Sequence, residues 1–220
     1  MAPDVLLDSR RALVHTRQEW LAVADVHFGY EVQRRRQGAL LPQWGMAACE
    51  ETLRDLVTHH QPRRLILVGD IMDGSGSATE TAGLLDRLQA LVGEIVCILG
   101  NHDRAALKKA WRFVATHREE AFTFSHGHEW RVDGGADTEE AVTHVIGHEH
   151  PAIDFNDGAG LNLKLPAFVQ ERVNERTQRW VLPAFSPWAA GGQMKRRPGH
   201  ERLATWACAP TRVWRHETSV

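Results

Sequence analysis

Short apolar runs recur along the chain, and five of them stop at a polar cluster of one chemical kind. Trp20–Ala24 runs into Asp25-Val26-His27, and residues 65–68 run into Gly69-Asp70-Ile71-Met72-Asp73. Residues 95–99, 122–124 and 145–146 lead in the same way into Gly100-Asn101-His102-Asp103, Ser125-His126-Gly127-His128 and Gly147-His148-Glu149-His150. Runs this short, bounded by Gly, Asp, Asn or His, read as buried strands. Two helical patterns separate the first three. One carries Met46, Cys49, Leu53, Leu56 and Val57, the other Leu84, Leu85, Leu88, Leu91 and Val92, each at the spacing of one buried helix face. Pro62 stops the first before its strand. The alternation predicts a parallel sheet with right-handed crossovers. After about residue 120 the strand-like pieces at 161–169, 179–185, 203–207 and 212–214 come with few helical stretches, which predicts a second, more antiparallel sheet packed on the first. The tetrapeptide Leu-Pro-Ala-Phe at 165–168 and 182–185 is too short for a structural repeat and marks two similar strand edges.

A chain of 220 residues without a Ser/Gly/Pro-rich linker reads as a single domain, 1–220, in which the stretch 193–220 is the least defined. With 43% hydrophobic and 25% charged residues a disordered chain is excluded. Net charge is -2, so there is no global basic field and any phosphate binding must be local. Cys49, Cys97 and Cys208 include no CxxC, which argues against a disulfide framework or zinc ribbon and for reduced, buried thiols. Neither a signal-type apolar stretch near the start nor a run of ~20 apolar residues occurs, so a cytoplasmic protein without membrane association is expected. The sequence specifies no oligomeric state.

In α/β sheets ligands bind beyond the carboxyl ends of the strands, which is where these clusters would lie. Asp25/His27 and His148/His150 are each two apart, so in extended backbone both members would project to one side. Oxygen and imidazole donors without thiolate suit Mn, Fe, Co or Zn. Asp25, His27, Asp70, Asn101, His126, His148 and His150 make seven donors, too many for one tetrahedral ion and right for two sharing a bridging carboxylate. Two divalent ions about 3.5–4 Å apart are the recurring device for phosphoester displacement. The charge left after ligation would bring a phosphodiester anion close to neutrality.

The ordered set D-x-H, GD-x-x-D, GNHD, H and GH-x-H, as it stands in Asp25/His27, Asp70/Asp73, Asn101/His102/Asp103, His126 and His148/His150, resembles the calcineurin-like metallophosphoesterase superfamily. The resemblance implies an α/β fold, a four-layer αββα sandwich of two mixed sheets. It places Asp25, His27, Asp70 and His150 on one metal and Asp70, Asn101, His126 and His148 on the other, with Asp70 bridging and manganese ahead of Fe, Zn or Co. It also points His102 at the substrate, where it could protonate the leaving oxygen. A narrower resemblance covers roughly 1–195. It rests on Asp25-Val26-His27-Phe28-Gly29, Gly38-Ala39-Leu40-Leu41-Pro42, Gly147-His148-Glu149-His150-Pro151 and the run Val-Leu-Pro-Ala-Phe-Ser-Pro-Trp-Ala-Ala-Gly-Gly at 181–192. These are similar to small bacterial and archaeal phosphoesterases that include DNA-ligase-associated DNA-damage-response endonucleases. The chain departs from them at Ile71-Met72, where an aromatic is often seen, and beyond Gly192. The implied function is hydrolysis of phosphodiesters in DNA or RNA during DNA repair, with partners in a ligase or helicase pathway. The alternatives are a small-molecule phosphodiesterase or phosphatase, for instance on cyclic nucleotides, and a metal-free binding scaffold, against which seven intact donors argue.

Asp73 and Asp103 read as orienting carboxylates, and a histidine bonded to either is the rival role for His102. His128 and His144 read as polar loop histidines. Arg34 to Arg36, and Lys195 to Arg197 with Arg202, are basic runs of the kind that usually face solvent. Most of the eight tryptophans should pack in the core. Trp44 and Trp188, in segments expected near the site, are the candidates for substrate contact.

Overall fold

The structure, a computed structural model, describes residues 4–74, 77–129, 141–156 and 158–216. The first sheet orders its strands as the chain does: β1 (Val5–Asp8), β2 (Ala12–His15), β3 (Trp20–Ala24), β4 (Arg64–Val68), β5 (Glu94–Ile98) and β6 (Phe113–Val114). The first three pair antiparallel, and β3 through β6 run parallel. Helices α1 (Tyr30–Arg36), α2 (Gly45–His60), α3 (Ala78–Gln89) and α4 (Ala105–Ala110) lie in the connections between the parallel strands. Alternation within the strands decides which layer each side chain meets. Leu21, Val23, Leu65, Leu67 and Cys97 pack against Leu53, Leu56, Leu84 and Leu88 of the helices. Trp20, Ala22, Ile66, Val68 and Ile98 face the other way, onto Phe122, Phe124, Val145, Phe168 and Trp180 of the second sheet.

That sheet holds β7 (Thr116–Glu119), β8 (Phe122–Ser125), β9 (Val142–Ile146), β10 (Ala152–Asn156), β11 (Asn162–Arg172), β12 (Thr177–Val181), β13 (Glu201–Cys208) and β14 (Val213–His216). Its order is β14-β13-β11-β12-β9-β8-β7, with β10 paired to the first half of β11. It is mostly antiparallel, as expected, but β8, β9 and β12 run parallel to one another. The C-terminal stretch is thus part of the sandwich through β13 and β14. Two mixed sheets with helices form the expected α/β sandwich. The helices α2, α3 and α4 cover the outer face of the first sheet, whereas on the outer face of the second Ile146, Val169 and Val181 pack against Met194 from extended chain. Cys49, Cys97 and Cys208 are free and buried, and burial pushes each thiol up to about 12. No helix among the described residues is long and apolar enough to cross a membrane.

Register positions the site. Ala24, Val68 and Ile98 are level with one another across the first sheet, and Ser125, Ile146 and Val181 are level across the second. The residues that follow them therefore emerge along two facing edges. The strand expected over 179–185 ends at Val181, because beyond it Phe185 N–H donates to Ala24 O (2.7 Å) and Ser186 N–H to Asp25 O (3.1 Å), which carries the chain across to the first sheet.

Trp20 is the inter-sheet anchor, fully buried with its ring edge-on to Phe122 and Phe124 at 5.2 and 5.1 Å. Trp20→Ala is expected to lower the unfolding free energy in urea by about 3–5 kcal/mol. A loss within the scatter of surface substitutions would show that the sheets do not depend on this contact.

Candidate metal centre

Asp25 follows β3, Asp70 follows β4, Asn101 follows β5, His126 follows β8, and His148 and His150 follow β9, so two sheets deliver donors to one rim. The local backbone is not the extended chain that the two-residue spacings suggest. Asp25 (φ 53°), His27 (45°), Asp70 (45°), His148 (68°) and His150 (44°) all lie in the left-handed region, which costs non-glycine residues free energy. Each turn is therefore held by its neighbours. Asp25 N–H donates to Gly69 O (3.2 Å), His27 N–H to Asp70 O (2.9 Å), and Gly147 N–H to His126 O (3.1 Å). Side chains add to this: His148 N–H donates to Asp25 Oδ2 (2.8 Å) and His102 N–H to Asp70 Oδ1 (2.7 Å). Two glycines make room for the convergence. A Cβ on Gly100 would lie 2.1 Å from the Asp70 nitrogen, and one on Gly147 would lie 2.6 Å from Asp25 Oδ2.

The donors gather in two groups, Asp25 with His27 and His150, and Asp70 with His126 and His148, each with its ligand atoms within 4.8 Å of one another. His148 and His150 part company because the left-handed turns aim them differently. The carboxylates lie between the groups. Asp70 Oδ2 is 3.2 Å from His126 Nε2 and 4.0 Å from His27 Nε2, while Asp25 is 3.6 Å from both His126 Nδ1 and His150 Nε2. Asn101 Oδ1 sits 2.9 Å from His126 Nε2, at the second group. Among the described residues Asp25 Oδ1, His27 Nε2 and His126 Nδ1 are buried without a hydrogen-bond partner. Leaving such an atom unsatisfied costs about 1–3 kcal/mol. Three of them converging among carboxylates and imidazoles fit divalent cations.

A third group joins His27, Asp73 and His102. Asp73 Oδ1 lies 3.3 Å from His27 Nδ1 and 3.5 Å from His102 Nδ1, so one carboxylate faces both rings. His102 is the open member, with 46% of its side chain exposed. Asp103 does something else: its oxygens accept N–H bonds from Ile71 (2.9 Å), Met72 (3.1 Å) and Gly100 (2.9 Å), tying the exits of β4 and β5 together. That leaves Asp73 as the carboxylate facing His102. It also accounts for buried Ile71 and Met72, which are core residues at the point where the chain departs from the narrower pattern. His128 lies beside the second group, 5.2 Å from His126 between ring centres, and His144 is on β9 rather than in a loop.

A family model described as calcineurin-like phosphoesterase matches residues 21–188. The chain belongs to this family. It is accordingly a metal-dependent phosphoester hydrolase. No curated protein matches it. Among solved structures it is similar to the nuclease MPE of Pseudomonas putida, at 22% identity over 96% of this chain and 94% of that one, with a TM-score of 0.68. The phosphoesterase YfcE of E. coli is 15% identical over 88% of this chain and 95% of that one, with a TM-score of 0.48.

Beside the phosphoesterase centre, Trp44 and Trp188 stand together, ring centres 4.9 Å apart, with Tyr30 stacked on Trp188 at 6.1 Å and the Arg34 guanidinium 5.1 Å from the Tyr30 ring centre. Buried Glu31 sets this cluster by accepting Met46 N–H (2.7 Å) at the start of α2 and Trp188 Nε1–H (3.1 Å). Gly45 lets the indole approach, since a Cβ there would lie 2.1 Å from its nitrogen. Sequence reasoning singled out the two tryptophans but not Tyr30 or Glu31, whose signal is their place just after Asp25-Val26-His27.

Burial opposes charge on His27, Asp70, His126 and His148, and in the first three the neighbours outweigh it. His27 and His126 are raised: desolvation pulls them down, but Asp73, Asp25 and Asp70 outweigh it. Asp70 is also desolvated, yet His126 and the His102 N–H hold it down at about 2. His148 is lowered by burial and by His126. A raised histidine stabilises the fold fully below its unfolded value near 6.5, and that contribution is lost as pH rises through the folded value. The lowered His148 and Asp70 act only on the acid side. EDTA-treated protein is therefore expected to lose thermal stability as pH rises above about 6.5, and added Mn2+, which takes the place of these protons, is expected to abolish the decline. A flat profile in melts of the stripped protein would show that the two histidines are not held charged.

Proposed function

We propose that the chain is one catalytic unit that hydrolyses phosphodiesters of nucleic acid with two divalent ions, manganese ahead of Fe, Zn or Co. Asp25, His27, Asp70 and His150 would hold one ion and Asp70, Asn101, His126 and His148 the other. The observation that carries this reading is the set of three buried, unpartnered ligand atoms between the two groups. When bound, such ions supply Lewis-acid stabilisation of the phosphoryl charge and acidify water. The chain's own residues do the rest. Asp73 keeps the His102 ring turned, with Nδ1 toward its carboxylate, which leaves Nε2 to deliver a proton to the departing oxygen. Asp103 fixes the turns that carry Asp70 and Asn101. The nucleic-acid reading rests on the aromatic cluster: bases stack on aromatic rings for about 1–3 kcal/mol each, and Trp44 is exposed with Arg34, Arg35 and Arg36 on neighbouring α1. Work in the cytoplasm, in DNA repair beside a ligase or helicase, is the setting that the segments 25–29, 147–151 and 181–192 suggest.

Metal-loaded protein assayed in parallel on single-stranded DNA, duplex DNA, a cyclic nucleotide and a phosphomonoester is expected to favour a nucleic acid. Asp70→Asn should lower metal content and cut turnover by orders of magnitude on every substrate while the chain stays folded. Preference for the cyclic nucleotide or the monoester would move the reading to small molecules.

A proton donor matters most when the leaving oxygen is a poor leaving group. His102→Gln is expected to keep both metals, retain much activity on a nitrophenyl diester, and lose roughly 10²–10⁴-fold on an unactivated alkyl diester. Equal losses on both would assign His102 to stabilising phosphoryl charge. Loss of metal would make it a support of His27.

A further inference from the structure

Glu149 stands between His148 and His150, and its side chain leads away from the centre into an ion network. It pairs with Arg179 Nη1 (3.3 Å) and with Arg197 Nη2. Arg179 is fully buried on β12 and bonds Glu171, its cross-strand neighbour on β11, through Nε (3.1 Å) and Nη2. Glu171, also buried, lies 3.4 Å from His200 Nδ1 and from Arg202 Nη2, and Arg202 donates to Met194 O (3.0 Å). The same C-terminal segment grips His150 through the backbone. Gly192 N–H donates to His150 O (3.0 Å), Ala152 N–H returns to Gly192 O (2.8 Å), and left-handed Gly191 (φ 62°) approaches so closely that a Cβ would lie 2.6 Å from that same His150 O. Arg197, His200 and Arg202 lie beyond residue 188, where the family match ends. Two of the basic residues that read as a solvated run, Arg197 and Arg202, thus point inward.

We propose that Arg197 and Glu149, backed by Arg179 and Glu171, are positioning residues: with Gly191 and Gly192 they form a clamp that holds the loop 147–151 in its left-handed turns and thereby sets metal affinity. The inference rests on the ligand roles proposed above for His148 and His150. A pair of imidazoles carried on strained backbone binds a cation tightly only if the strain is met before the ion arrives, and outer contacts of this sort typically contribute 10–100-fold in metal affinity. Of the four charged members of the clamp, the two most exposed, Arg197 and Glu149, carry opposite charge. This separates position from electrostatics. Removing the Arg197 charge would by field alone strengthen cation binding, and removing that of Glu149 would weaken it. Loss of position weakens binding in both.

The test is calorimetric titration of Mn2+ into EDTA-stripped protein, with melting temperatures recorded alongside. Wild type is expected to bind two ions. Arg197→Ala and Glu149→Gln should each weaken at least one site by about 10–100-fold, and Arg197→Lys should recover most of the loss. Arg87→Ala, which breaks the Arg87–Glu50 pair between α3 and α2, should leave Mn2+ binding unchanged. Unchanged affinity in both clamp variants overturns the proposal, as does tighter binding by Arg197→Ala with weaker binding by Glu149→Gln. Should Glu149→Gln fail to fold, the Arg197 pair of variants decides alone, since that side chain is 39% exposed. Absence of Mn2+ binding by wild type would overturn the ligand assignment itself, and the clamp with it.

Discussion

Asp25 is the residue through which the two sheets are coupled at their working edge. It leaves β3 in a left-handed conformation, receives Ser186 N–H on its carbonyl from the chain that follows β12, and receives His148 N–H on its carboxylate from the turn after β9. One residue thereby fixes the end of the first sheet against two strand exits of the second. Without that coupling the two sheets could slide by the few tenths of an ångström that packed cores resist only collectively, and donors from different sheets would not share a site. The same carboxylate is fully buried, and the imidazoles of His126 and His150 each stand 3.6 Å from it.

Much of this architecture was legible because the chain states it twice, in apolar runs and in their punctuation. β3 is read to the residue, since five consecutive apolar residues stop at Glu19 on one side and Asp25 on the other. The hairpin of β1 and β2 escaped, being two four-residue strands whose apolar cores are too short to show a period. The run 182–185 looks like a strand and is not part of one, because pairing with Ala24 across the sandwich replaces pairing within β12's own sheet. Local pattern cannot reveal which neighbour wins that competition.

That the donors gather at one rim was legible from residue type and order, whereas their division into two groups came from the family resemblance and not from spacing. His148 and His150 seem equivalent by spacing, yet positive φ at both sends them to different groups. Asp73 and Asp103 looked alike as orienting carboxylates; one faces two histidine rings and the other closes a turn with three N–H bonds. Arg179 and Glu171 carried a signal that went unused. Arg179 opens the apolar run 179–185, and a charged residue buried there needs a counterpart, but finding the counterpart requires the strand register.

Five of the nine non-glycine residues with positive φ among the described residues are candidate ligands, and this has a bearing on any attempt to harden the protein. Replacing left-handed residues with glycine relieves backbone strain, so a screen for heat resistance would be drawn to these positions. The gains would come from disarming the enzyme. Tolerance to heat and capacity to bind cations are set against each other here at the level of single dihedral angles, and improvement in the first must be sought in the helices and the outer strands, away from the rim.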